Sequence, residues 1–231
     1  MAISVGTITS ADTGGSATTS FTVSATVDAS ATLLIVAVTN LANGNFPTGV
    51  TWNGAAMTQK VQKIGSSGAS GVGTTIFSLL NPATGTHNLV VTTAISDLMG
   101  VGIIPIWGND ATTPIDATGG SQTAISASIT TVTDNALIIN AGGYDQGTAP
   151  SVANGETSRW NTGFTSTVNR QYFGATLATT THGSITTGWT AGGTPDSASL
   201  HLAIVAIRPG TGLPPSKNAI KLQAVNRASN Y

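Results

Sequence analysis

The chain has 231 residues, of which 40% are hydrophobic and only 7% are charged, against roughly 25% charged residues in a typical soluble domain. This hydrophobic content excludes a disordered chain, and the absence of cysteine excludes disulfides and cysteine-ligated metals. Depletion of charge is typical of surfaces buried between proteins. The composition therefore favours a protein that works inside an assembly over an uncharged secreted β-protein.

Short runs of β-branched residues recur along the chain between Gly, Asn, Asp and Pro, which is the pattern of an all-β fold. Because about a dozen strands are too many for one sheet, we predict a two-sheet antiparallel sandwich with no long helix before the C-terminus. The predicted strands are 21–27, 32–39, 50–52, 56–60, 75–80, 87–93, 98–107, 123–129, 136–142, 157–161, 171–177, 184–189 and 200–208.

Two patterns distinguish half-covered strands from fully covered ones. In residues 21–27 apolar positions alternate with Thr22, Ser24 and Thr26, which predicts one face on the core and one face outward. Residues 33–38 are apolar throughout, which predicts a strand covered on both sides. Between the predicted strands, Asn53-Gly54 is a typical hairpin turn.

The composition changes after residue 208. We predict a sandwich body at 1–208, a Pro/Gly linker at 209–215 and an extended arm at 216–231. Up to residue 210 the chain has five basic and nine acidic residues, a net charge of −4, whereas the arm has three basic residues and no acid. The body is therefore acidic and the arm basic.

The arm has the pattern of a β-strand that could add to a partner's sheet edge, since apolar and polar residues alternate over most of 220–225. A disordered solubilising tail is the alternative. In the strand interpretation, the basic residues of the arm would orient it on acidic groups of a neighbouring protein. The predicted partner-binding residues are Lys217, Ile220, Lys221, Leu222, Ala224 and Arg227.

No pattern in the sequence supplies a catalytic site. His87, His182 and His201 share no metal-ligand spacing, and Glu156 is the single glutamate. We therefore expect no enzymatic activity and no cofactor or required metal. The loop aspartates Asp110, Asp116 and Asp145 could form a Ca²⁺ site, but we expect them to cap turns.

Other partners are disfavoured on similar grounds. An acidic body lacks the basic footprint that nucleic acid requires, and no apolar run is long enough to span a membrane. Residues 1–6 have no basic and apolar leader, so we expect a soluble protein made in the cytoplasm without a signal peptide. The tryptophans could form a sugar-stacking platform, although core positions are favoured for them. They are Trp52, Trp107, Trp160 and Trp189.

Four segments occur in an order that resembles a known domain. They are VTWNGAAMT at 50–58, FSLLNPATGTH at 77–87, WGNDATTPID at 107–116 and LAIVAIRP at 202–209. Together they resemble a jelly-roll-like β-sandwich domain of bacteriophage virion proteins and of some bacterial surface proteins. The resemblance covers most of residues 1–210 and does not include the arm.

The resemblance implies a structural protein without catalytic residues. For a separate chain of this size, the resemblance implies a capsid decoration (cement) protein on the virion surface. Such a protein would bind the major capsid protein or another virion protein. It would also bind its own copies and form a homotrimer. A tail-fibre or receptor-binding component of the virion is the alternative. From a different class, a carbohydrate-binding module of a secreted protein is a further alternative.

Overall fold

The computed structural model describes residues 2–40, 46–65, 72–163 and 170–211. Every regular element in these ranges is a β-strand, and the strands pair antiparallel, so the predicted all-β antiparallel sandwich is confirmed. It contains four sheets, where two were expected. Among the described residues there is no helix that could cross a membrane.

The first half of the chain forms two sheets, and we call it the first module. The first middle sheet has the order β1-β10-β4-β8-β7, with β2 also beside β10, and the first outer sheet has the order β3-β9-β5-β6. The strands are β1 (Ser4–Val5), β2 (Thr9–Asp12), β3 (Thr18–Val27), β4 (Leu33–Asn40), β5 (Pro47–Trp52), β6 (Ala55–Ala56), β7 (Thr58–Ile64), β8 (Gly73–Leu80), β9 (Gly85–Asp97) and β10 (Met99–Trp107).

The second half forms the second module, also with two sheets. The second middle sheet has the order β11-β18-β13-β16-β15, and the second outer sheet has the order β12-β17-β14. The strands are β11 (Ile115–Ser121), β12 (Ser126–Thr131), β13 (Leu137–Tyr144), β14 (Thr148–Val152), β15 (Thr157–Gly163), β16 (Gln171–Ala178), β17 (Gly183–Gly192) and β18 (His201–Ile207).

The two modules have the same strand order. In each, the first strand lies beside the last and the second beside the seventh, if β1 with β2 and β6 with β7 are each counted as one strand. This is the order of a jelly roll. The sequences also correspond, because Thr22, Ser24 and Thr26 lie as far before Leu33 as Ser126, Ser128 and Thr130 lie before Leu137. The chain is therefore a tandem repeat of one jelly-roll unit.

The four sheets stack as layers, with the two middle sheets face to face. One cluster of buried side chains fills the gap between the middle sheets, and two further clusters fill the gaps between each middle sheet and its outer sheet. The central strands of the middle sheets therefore have no solvent face, and β4, β13 and β18 are buried along their whole length, whereas the edge strands β7, β11 and β15 have exposed residues. The predicted covering of residues 33–38 on both sides is confirmed.

The outer sheets have one buried and one exposed face. In β3, Val23, Ala25 and Val27 are buried, whereas the hydroxylic residues between them are exposed. The predicted alternation in residues 21–27 is confirmed. The molecule thus presents two broad sheet faces to its surroundings, one on each module.

Candidate interaction surfaces

The exposed face of the first outer sheet consists almost entirely of small hydroxylic and amide side chains. We call it the first outer face. Its residues occupy the alternate positions of β3, β9 and β5 whose side chains point away from the core. Thr26 and Thr86 bond to each other across the strands at 2.8 Å between their Oγ1 atoms. None of these side chains is charged. They are Ser20, Thr22, Ser24, Thr26, Thr51, Thr86, Asn88, Val90 and Thr92.

The second outer sheet has a face of the same character, which we call the second outer face. Its cross-strand pairs include Ser128 with Thr186, whose hydroxyl oxygens lie 3.0 Å apart. Again no member is charged. The residues are Ser126, Ser128, Thr130, Ser151, Ser184, Thr186 and Thr190. Both modules therefore direct a neutral, hydroxyl-covered surface outward.

A shallow groove of about 440 Å³ lies at one end of the first outer face. Asn53 and Gly54, both at positive φ, form its rim as the predicted hairpin turn. His87 borders it, with Nε2 placed 3.1 Å from the Thr84 carbonyl oxygen. The groove offers amide and hydroxyl groups to a polar ligand or a neighbouring chain.

The tryptophans do not form a stacking platform. Trp52, Trp160 and Trp189 are at most 5% exposed, and the indoles of Trp52 and Trp189 donate hydrogen bonds to Ala83 O and Asn140 Oδ1. The expectation that these three serve the core is confirmed, while Trp107 at the end of β10 is half-buried. No aromatic ring is exposed on either outer face as described.

The three histidines lie in separate environments. His201 is fully buried between the modules, where Nε2 lies 3.0 Å from Thr74 Oγ1 and Nδ1 lies 2.8 Å from Ser199 O. Burial lowers the pKa of His201 to about 4, so the ring is neutral at ordinary pH. His182 instead pairs with Asp134 at 2.7 Å on the exposed surface.

The three aspartates that were expected in loops have separate surroundings, and Asp116 lies in β11 and not in a loop. Asp110 accepts hydrogen bonds from the amides of Thr112 and Thr113, which lower the pKa of its carboxyl to about 2. Asp116 accepts from the Val132 amide and from the Thr133 hydroxyl, joining β11 to the loop after β12. Across the described ranges, no three acidic or histidine side chains form a group that could hold a metal.

Asp145 and Glu156 are likewise occupied by internal partners. Asp145 Oδ1 accepts from the Gln146 amide and lies 3.5 Å from Arg170 Nε. Glu156 is buried and accepts from Asn140 Nδ2 at 2.8 Å and from Thr187 Oγ1 at 2.6 Å. These carboxylates tie loops and strands of the second module together.

The predicted partner-binding arm lies outside the described residues, so Lys217, Ile220, Lys221, Leu222, Ala224 and Arg227 stay predictions. The chain leaves the body beside the end of β10. There Pro209 pairs with Asn109, and the Gly210 amide donates to Gly108 O. The first two residues of the predicted linker are thus held against the body.

Comparison with known families, curated proteins and solved structures found no match for this chain.

Proposed function

We propose that the chain is a structural protein of a bacteriophage virion, a capsid decoration protein that binds the shell and its own copies. The observation that supports this most is the pair of neutral outer faces. The body has nine acidic and five basic residues, and none of them belongs to either outer face. The resemblance of the four sequence segments supplies the phage context.

Neutral hydroxylic faces suit attachment to another protein. Ser and Thr side chains are short, so a partner's backbone can approach closely, and little charge must be desolvated when the surfaces meet. Many of their hydroxyls already bond within the sheet, as Thr26 with Thr86 and Ser128 with Thr186 do. The faces are therefore ordered before a partner binds, which reduces the entropy lost on binding.

Glycan binding is the competing function for an exposed β-sheet face. Sugar rings commonly stack on exposed aromatic rings, and the described outer faces provide none. The polar groove beside Asn53 offers hydrogen bonds without such a ring. We therefore favour a protein partner over a sugar for these surfaces.

The arm completes the proposal. Its three basic residues complement an acidic body or an acidic patch of the shell, and its alternating segment suits addition to a sheet edge. The body would thus provide broad contact, and the arm a tether to a neighbouring protein on the particle.

Binding of the purified protein to shells that lack it tests the proposal. Asn88→Arg and Thr186→Arg each place one charge on the central strand of one outer face, away from the sheet edges. We expect the wild type to bind saturably and at least one of the two variants to bind several-fold more weakly. If the wild type does not bind shells, or if both variants bind as tightly as it does, the proposed use of these faces is wrong.

A further inference from the structure

Most sheet edges of this molecule are interrupted. The first middle sheet ends in β1 and β2, which are separated by residues 6–8, and in β7, whose register shifts at Lys60. The second middle sheet ends in β11, with a register shift at Asp116, and in β15, with a shift at Arg159. Bulges and charged residues on an edge prevent another strand from pairing with it.

The outer sheets are similarly blocked on one side. β6 has only two residues, and β14 contains Pro150 within a register shift. The remaining two edges are formed by β3 and β12. The β12 edge lies close to β11, where Gly119 approaches Ile129, and Asp116 of β11 accepts hydrogen bonds from the backbone amides that follow β12. The corresponding strand of the first module, β3, is less covered: the Thr7 amide donates to Asp28 just beyond the end of β3, and the four-residue β2 lies beside it over a shorter length than β11 lies beside β12.

The β3 edge, which we define as the outer backbone edge of residues 20–27, is regular and uncharged. Its register with β9 is unbroken from Ser20 to Val27, and no charged or proline residue occurs in it. A long, regular and neutral edge is a template for pairing with another strand. Phe21 on its inward side is only partly buried and would be covered by an added strand.

We propose that the β3 edge is where a second copy of this chain pairs, antiparallel and about a twofold axis, to form one continuous outer sheet. A register centred on Ser24 places Thr22 opposite Thr26 and Val23 opposite Ala25. Hydroxyls then remain on the outer face and apolar side chains on the inner face, as antiparallel pairing requires. The β3 strand is thus complementary to itself.

This inference deepens the proposed function by naming the contact between copies, and it gives two copies where the resemblance implied three. An isologous contact closes as a dimer because the same edge is used by both partners. The contact does not involve a shell, so it can be tested on the purified full-length protein alone.

Sedimentation velocity of the wild type and of Ser24→Lys gives the first test. The wild type should sediment as a dimer, whereas Ser24→Lys places two like charges opposite each other at the axis and should give a monomer with an unchanged β-sheet spectrum. Ser184→Lys is the matched control, since Ser184 is exposed on β17, the central strand of the second outer sheet, and it should stay dimeric.

Cross-linking gives the second test, because the chain has no cysteine of its own. A short bismaleimide should join Ser24→Cys copies several-fold more efficiently than Ser184→Cys copies. A wild-type monomer or trimer, equal cross-linking of the two variants, or dissociation by Ser128→Lys on β12 but not by Ser24→Lys would overturn the inference. A dimer that is absent from particles would instead refute the virion role and leave the β3 contact intact.

Discussion

Trp160 of the second module lies directly against Gly102 of the first. A Cβ at Gly102 would be 2.6 Å from Cε2 of the indole, and the same distance separates that atom from a Cβ at Gly174 on the neighbouring strand. The indole therefore lies between two strands of different modules, over positions where only glycine leaves room. This contact is part of the cluster that joins the two middle sheets.

Gly102→Ala should lower the free energy of unfolding by about 1–3 kcal/mol, because the added methyl group would force the Trp160 ring or β10 to move. Urea unfolding followed by tryptophan fluorescence measures the change. Gly119→Ala is the matched control, since its nearest neighbour, a side-chain carbon of Ile129, lies at 3.6 Å, an ordinary contact. An equal loss in both variants would show that the effect is not specific to the Trp160 contact.

Acid should weaken the fold through His201. Its pKa is near 4 in the folded chain and 6.5 ordinarily, so the unfolded chain takes up a proton first as the pH falls. The free energy of unfolding keeps its full value with respect to His201 above pH 6.5. It falls progressively as the pH drops to about 4, by a total of about 3 kcal/mol. Unfolding free energies of the wild type and His201→Gln across this range measure it. A variant with the same pH dependence as the wild type would contradict the assignment.

Glu156→Gln should destabilise the second module by about 2 kcal/mol, because the new amide donor must face Asn140, Thr187 or the Gly188 amide, all of which donate to the carboxylate. Turning the Asn140 amide to compensate would break its bond from Trp189. Thermal unfolding monitored by near-ultraviolet circular dichroism measures the loss. Thr130→Ala, on an exposed position of β12, should stay within about 0.5 kcal/mol of the wild type; a comparable loss there would argue against the network.

Deletion of residues 216–231 should leave the unfolding transition of the body unchanged and weaken attachment to the neighbouring protein. The control replaces Lys217, Lys221 and Arg227 with Glu in the full-length chain, which keeps the alternating pattern and reverses the charge. If attraction to acidic groups orients the arm, this variant should attach more slowly at low salt. A truncated protein that attaches as tightly as the full chain would show that the arm does not bind the neighbour.

The covered strands were predictable from the sequence because they are continuous apolar runs, as in residues 33–38. The edge strands β1, β2, β11 and β14 were missed, since an edge strand is short or polar and leaves little hydrophobic pattern. Gly119 and Gly120 in β11 further resemble a turn.

The tandem repeat is also not predicted from the sequence, and for this reason two sheets were expected where the structure has four. The signal is present in the spacing of Thr22 and Ser24 before Leu33, which recurs as Ser126 and Ser128 before Leu137. Thr22 is replaced by Ser126 while Ser24 recurs as Ser128, and so few matching positions are difficult to recognise as a repeat. The exposed hydroxylic face of β3 was predictable from the alternation of apolar and hydroxylic residues in the sequence. The interrupted edges were not predictable, because a bulge is defined by the pairing of two strands.

Electron cryomicroscopy of purified virus particles would show whether the chain lies on the capsid. We expect ordered density for two stacked jelly-roll modules on the outer surface of the capsid, at positions repeated with the symmetry of the shell. Particles that lack the chain, with the protein recovered instead from the particle-free fraction, would contradict it.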